Sequence, residues 1–168
     1  MKKIAIITVA FLIVILSACG PTQDSAIKYN DSIMKIIDGL TIEHTLFLDQ
    51  IDGHNIDSLK STHSKFVAKA KESLEASKKI GPFGDKTDFI DVTLDYFNTL
   101  NSIANTEGTQ MVEIMSKDSS QIAQEDLDKI DVLAAKFDDD YSKAYDKISA
   151  AQEKFAKEWK FELIETKK

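Results

Sequence analysis

Arginine is missing from this sequence altogether, cysteine occurs once, at Cys19, and proline twice, at Pro21 and Pro82. A single cysteine cannot form a disulfide within the chain, so stability has to come from packing. Without arginine, the planar fork most used on phosphates and guanine is gone. With 28 acidic against 21 basic residues and a net charge of −7, no basic excess remains for a polyanion, and nucleic-acid binding is set aside. Glycine is sparse as well: there are six, and neither glycine nor proline occurs after Gly108, which leaves the rest of the chain free to run as helix. The common catalytic signatures are missing too. There is no His-Glu-x-x-His, no cysteine pair, no glycine-rich phosphate loop and no Gly-x-Ser-x-Gly. A non-enzymatic role is therefore expected, since no convergent acid, base and nucleophile can be assembled from motifs.

What is present begins at the first residues. Met1-Lys2-Lys3 is followed by an uncharged apolar run, Ile4 to Leu16, interrupted only by Thr8. As a helix that run would be roughly 20 Å long, short of the ~30 Å hydrocarbon core of a bilayer. A basic start, a short apolar middle and small residues at Ser17 and Ala18 describe a secretory signal peptide rather than a permanent membrane span. Leu16-Ser17-Ala18-Cys19 then resembles the lipobox of bacterial lipoproteins. That resemblance implies a covalent diacylglycerol on the Cys19 thiol, cleavage before Cys19, and acylation of the new N-terminus. The expected organisation is a lipoprotein signal peptide over 1–18, a lipidated polar tether over 19–25 and a helical bundle domain over 26–168. Acyl chains contribute roughly 0.8 kcal/mol per buried CH2, so two or three hold a protein on a bilayer. Loss of Lys2 and Lys3 makes the mature chain more acidic still. By analogy with enteric bacteria, Gly20 in place of an aspartate after the cysteine points to the outer membrane.

Beyond the tether the apolar residues recur every three or four positions, the helical period, without strand-like alternation. Ile33, Ile36, Ile37, Leu40, Phe47, Leu48 and Ile51 predict a first helix over about 25–52, with Gly53 as its stop and Asn55 or Asp57 as the next N-cap. Leu59, Phe66, Ala70, Leu74 and Ile80 predict a second over about 57–80, ended by Gly81-Pro82. Asp85 or Thr87 restarts the chain into a third helix, to about Met115. A fourth, over about 121–163, aligns Leu127, Ile130, Ala134, Phe137, Tyr141, Tyr145, Ile148, Phe155 and Trp159. At that length it is expected to bend or break. Short connections favour antiparallel neighbours, so the fold class is all-α: an up-down four-helix bundle with a long C-terminal helix.

Three histidines exist, His44, His54 and His63. His54 falls in the turn between the first two helices and reads as solvated. His44 and His63 lie at similar distances either side of it and on their apolar stripes, so an antiparallel hairpin would let them face each other. Glu107 occupies a stripe position at the same level of the third helix, and the matching level of the fourth holds Asp131 and Asp138. The reading with more support is a neutral core histidine bonded to Glu or Tyr. The alternative is a metal-binding or sensing bundle with His44, His63 and Glu107 as ligands, since imidazoles and carboxylates converging in a bundle suit zinc or iron. Against it, the Glu-x-x-His spacing of ferritin-like sites is missing. Asp138 to Asp140 lacks the alternating oxygen ligands of a calcium loop and reads as a solvated face. The aromatic run from Phe137 to Trp159 reads as core, with a binding face as the minority reading.

Three segments carry a further resemblance: "AIKYNDSIMKI", "KKIGPFGDKTDFIDV" and "AAQEKFAKEWKFEL". With Tyr29-Asn30, Pro82-Phe83-Gly84 and Gln152 to Ala156 they resemble a family of bacterial surface lipoproteins of the spirochaete and Bacteroidetes type, which pair a lipobox with a helical domain. The resemblance implies an envelope location and a helical architecture, and names no catalytic residue. The expectation is thus a lipid-anchored envelope protein, without a cofactor beyond the lipid on Cys19. Its bundle meets the membrane through the anchor and an unidentified protein or other envelope partner through its surface.

Overall fold

The computed structural model describes residues 20–163 except Asp52, His54 and the side chain of Ser119. The leader, the lipobox and Cys19 lie outside the described residues, as does His54. Among the described residues five α-helices follow one another: α1 (Gln23–Ile51), α2 (Ile56–Ile80), α3 (Asp88–Ile103), α4 (Thr109–Met115) and α5 (Gln124–Trp159). A π-helical turn, Ala104–Gly108, joins α3 to α4. The backbone stays in the right-handed helical region through it, from Ala104 (φ −61°, ψ −41°) to Thr109 (φ −62°, ψ −46°), so α3 and α4 form one rod. No strand occurs among the described residues, and the all-α bundle is the fold.

The sequence sets these boundaries locally. The Asn55 side chain accepts a 3.0 Å hydrogen bond from the Ser58 amide and caps α2. Gly81, at φ 68°, ends it. The following segment closes into a tight turn in which the Phe83 and Lys86 backbones exchange hydrogen bonds of 3.1 and 3.2 Å. At the start of α5 the Asp126 carboxylate accepts from the Ala123 amide at 3.1 Å. The last helix, expected to bend or break, is unbroken: α5 is continuous over 36 residues. It holds no glycine or proline, and lysine–aspartate pairs four apart, Lys136–Asp140 and Asp139–Lys143, support its outer face. It stops at Lys160, which is left-handed (φ 58°, ψ 41°). There the Phe161 amide reaches back to the Ala156 carbonyl at 3.1 Å and the Lys160 amide to that of Lys157 at 3.4 Å, a Schellman arrangement.

Buried residues of α1 (Ala26, Asn30, Ile33, Ile37, Leu40, His44, Phe47) alternate spacings of four and three, the seam of a closely packed bundle. α2 buries small residues, Ala70, Ser73 and Ser77, which let its neighbours approach. Contacts across the bundle run in opposite directions along the chain. Asn30 near the start of α1 meets Gln152 near the end of α5, and His63 early in α2 meets Ala104 just after α3. Asp88 at the start of α3 meets Lys154 late in α5. The order is up, down, up, down, in a ring whose loosest seam is between α1 and α5. On α5 the buried residues are Leu133, Phe137, Ala144, Ile148, Phe155 and Ala156. Leu127 and Tyr145, expected in the core, are 46% and 48% exposed, because α5 turns a slightly different face inward.

Candidate functional site

One end of the bundle gathers the start of α1, the α2–α3 turn and the end of α5. Gly84, at φ 64° in that turn, lies against the Pro21 ring: a Cβ there would stand 2.8 Å from Pro21 Cγ. Both the backbone and the close approach therefore require glycine. This contact and the hydrogen bond from the Gln23 side-chain amide to the Lys160 carbonyl hold the start of the described chain onto this end.

The turn folds Phe83 back between Tyr29 of α1 and Phe155 of α5, with ring centroids 5.0 and 5.4 Å away. Phe89 closes on Phe155 at 5.0 Å, and the Trp159 ring stands edge-on to Phe83 at 5.0 Å. Such tilted and edge contacts are those aromatic quadrupoles favour. The Tyr29 hydroxyl donates to the Gly81 carbonyl at 2.7 Å, tying α1 to the turn. Burial, with the Asp91 carboxylate adding to it, pushes this phenol up to about 12, so it stays a neutral donor across the physiological range.

Between these rings opens a cleft of about 660 Å³, with Val92 and Ala151 completing its apolar lining. Its rim carries two ion pairs of opposite polarity. Lys86 in the turn pairs with Glu158 of α5, and Asp88, two residues on, accepts from Lys154 of α5 at 2.6 Å. The Lys154 hydrogen bond holds the Asp88 carboxyl below the usual range. Of the residues lining the cleft, Tyr29 is committed to a carbonyl and all four charged groups are paired. The arrangement suits binding: an apolar aromatic floor beneath a rim of alternating charge.

The sequence-predicted metal residues do not come together as a ligand set. His44 is buried and stacks on Tyr141 (4.4 Å) and Phe137 (5.4 Å), with Phe66 tilted against it at 5.4 Å, and its Nε2 has no hydrogen-bond partner. Burial lowers its pKa to about 4, against an opposing pull from Asp138, so it is neutral at pH 7. His63 packs on Phe47 at 5.3 Å, and its Nε2 donates to the Ala104 carbonyl at 2.9 Å. Glu107 is buried and accepts hydrogen bonds from Lys136 (2.5 Å) and Thr106. Burial works to raise its pKa, but Lys136 and Thr106 outweigh it and keep the carboxyl below its usual range. Asp131 and Asp138 are exposed. Among the described residues no group of three or more His, Cys, Asp or Glu side chains is placed to hold a metal ion, and no helix is long and apolar enough to cross a membrane.

The cleft itself is not apparent from helical periodicity, which puts Phe155 and Trp159 in the core and treats Pro82-Phe83-Gly84 as a break. A usable signal lay elsewhere. Tyr29-Asn30, Phe83 and the Gln152–Ala156 stretch come from three distant segments and converge here, the Gln152 side chain donating to that of Asn30 at 3.0 Å. Comparison of the chain with family models, with curated proteins and with solved structures gives no match.

Proposed function

We propose that this chain is a membrane-anchored bacterial envelope lipoprotein whose helical bundle acts by binding and not by catalysis. The observation that carries the reading is Leu16-Ser17-Ala18-Cys19 directly behind a short uncharged run with a basic start. The architecture is compatible with it. Pro21, two residues after Cys19, lies against Gly84 of the α2–α3 turn, so a lipid on Cys19 would tether the bundle by the end that bears the aromatic cleft. With its charged lining groups paired, that cleft is better furnished for holding a ligand than for moving protons.

Expression of the full chain in a bacterial host with labelled palmitate tests the anchor. The wild-type chain is expected to take up label and sediment with membranes. Cys19→Ala is expected to take up none, to remain as precursor and to lose its lipid-dependent partition. Unlabelled wild-type protein partitioning normally would overturn the reading.

A further inference from the structure

We infer that the aromatic cleft takes a phospholipid of the surrounding bilayer whose head carries both a phosphate and an ammonium group. This deepens the lipid-anchor reading and rests on it for the nearness of a bilayer. The floor, formed by Phe83, Phe89 and Phe155 with Val92 and Ala151, offers hydrocarbon and ring surface to an acyl chain. The rim supplies the choice of head. Along the turn side the charges run positive then negative, Lys86 then Asp88; facing them on α5 are Glu158 and Lys154, in the opposite sense.

A head of one sign would gain from one partner of each pair and be repelled by the other. A head with both signs can exchange with the pairs, its phosphate meeting a lysine and its ammonium a carboxylate. These are exposed pairs, Lys154 and Asp88 at 68% and 75%, which contribute little to stability and are cheaply traded. The cleft also lies at the end of the bundle where the chain departs toward residue 19, with Pro21 on Gly84, next in the chain to the lining residue Phe83, so in the anchored protein it is at the end nearest the bilayer.

Trp159 is the sole tryptophan and packs on Phe83, which makes its fluorescence a reporter on the cleft wall. The full chain, held in amphipol, is titrated with dihexanoyl phosphatidylethanolamine below its micelle concentration. A saturable change is expected, at least tenfold weaker with dihexanoyl phosphatidylglycerol and with glycerophosphoethanolamine, which lacks the chains. Ala151→Phe, which fills the cleft, is expected to abolish it; Lys86→Ala with Lys154→Ala, both exposed, is expected to weaken it about tenfold with unchanged helicity. No saturable response, an equal response to phosphatidylglycerol, or an unaltered response in the lysine variant overturns the inference. Palmitate labelling at Cys19 succeeds or fails independently of this titration, so the two readings fall separately.

Discussion

The His63 imidazole lies so close over Gly108 that a Cβ at that glycine would stand 3.2 Å from Nε2 and 3.3 Å from Cδ2. The same Nε2 donates to the Ala104 carbonyl at the start of the π-helical turn that ends with Gly108. A π turn disturbs the regular hydrogen-bond ladder of a helix, and here an imidazole from the neighbouring helix bonds to one of its carbonyls. The glycine is what admits the ring.

A double-mutant cycle follows from this geometry. Alanine for glycine inside a helix is worth about 1 kcal/mol of propensity. At position 108 that gain is opposed by displacement of the ring and loss of a hydrogen bond worth about 1 kcal/mol. Gly108→Ala is therefore expected to be neutral or destabilising in the wild-type chain and stabilising by up to about 1 kcal/mol in His63→Ala. Denaturant unfolding of the four proteins checks it. The same Gly108→Ala effect in both backgrounds would show that the contact has no energetic consequence.

Glu107, in the same π turn, depends on Lys136 in a way that pH exposes. Burial pushes its carboxyl up, and the hydrogen bonds from Lys136 and Thr106 bring it below the usual range. In the wild type the unfolded chain therefore binds the proton first, and this contribution is lost as pH falls through the acid range. Lys136→Met leaves burial acting against one fewer counterweight. The variant is expected to be destabilised at pH 7 and to recover part of its deficit toward pH 4.5, where a protonated Glu107 needs no cation. Adding Glu107→Gln is expected to restore stability at pH 7. A deficit independent of pH, and no rescue, would place the effect of Lys136 elsewhere, for instance in its bond to Asp140.

Lys160 ends α5 in a conformation that costs a side-chain-bearing residue about 1–2 kcal/mol, partly offset by the entropy a glycine would lose on folding. Lys160→Gly is expected to stabilise the protein by about 0.5–1 kcal/mol, and Lys160→Ala not at all. Equal unfolding midpoints for the glycine and alanine variants would contradict this.

The helices were legible because their signals are local. Asn55 as a cap, Gly81 as a stop and the spacing from Ile33 to Phe47 each act within a few residues, and each holds in the structure. Residues whose placement depends on distant neighbours were not legible. Periodicity alone puts Leu127 and Tyr145 with the core of α5, but Leu133 and Ala144 take the inner face, a choice set by how α5 meets α3 and the loose α1 seam. His44 and His63 do sit on inward stripes, yet their immediate partners are aromatic rings and a carbonyl, which a stripe cannot specify. The cleft was hidden for the same reason: Phe83 reaches it only because the turn after Gly81 folds back over the bundle end.

His44 should make the core sensitive to acid. Its folded pKa, about 4, lies below the ordinary value of 6.5, so between those limits the unfolded chain binds the extra proton and the folded chain does not. Stability on this account is fully present above pH 6.5 and lost as pH falls toward 4, by roughly 3 kcal/mol at 1.36 kcal/mol per pK unit. The ring is packed on Phe66, Phe137 and Tyr141, and the opposing charge is Asp138 on α5. His44→Leu removes the titrating group and the unpartnered Nε2 together. Its unfolding free energy is expected to fall less than that of the wild type between pH 6.5 and 4. The same pair of proteins separates core packing from metal ligation. A metal ligand would give zinc-dependent stabilisation that grows with concentration and disappears in the variant; a neutral ring among aromatics gives an acid-sensitive core that zinc leaves unchanged.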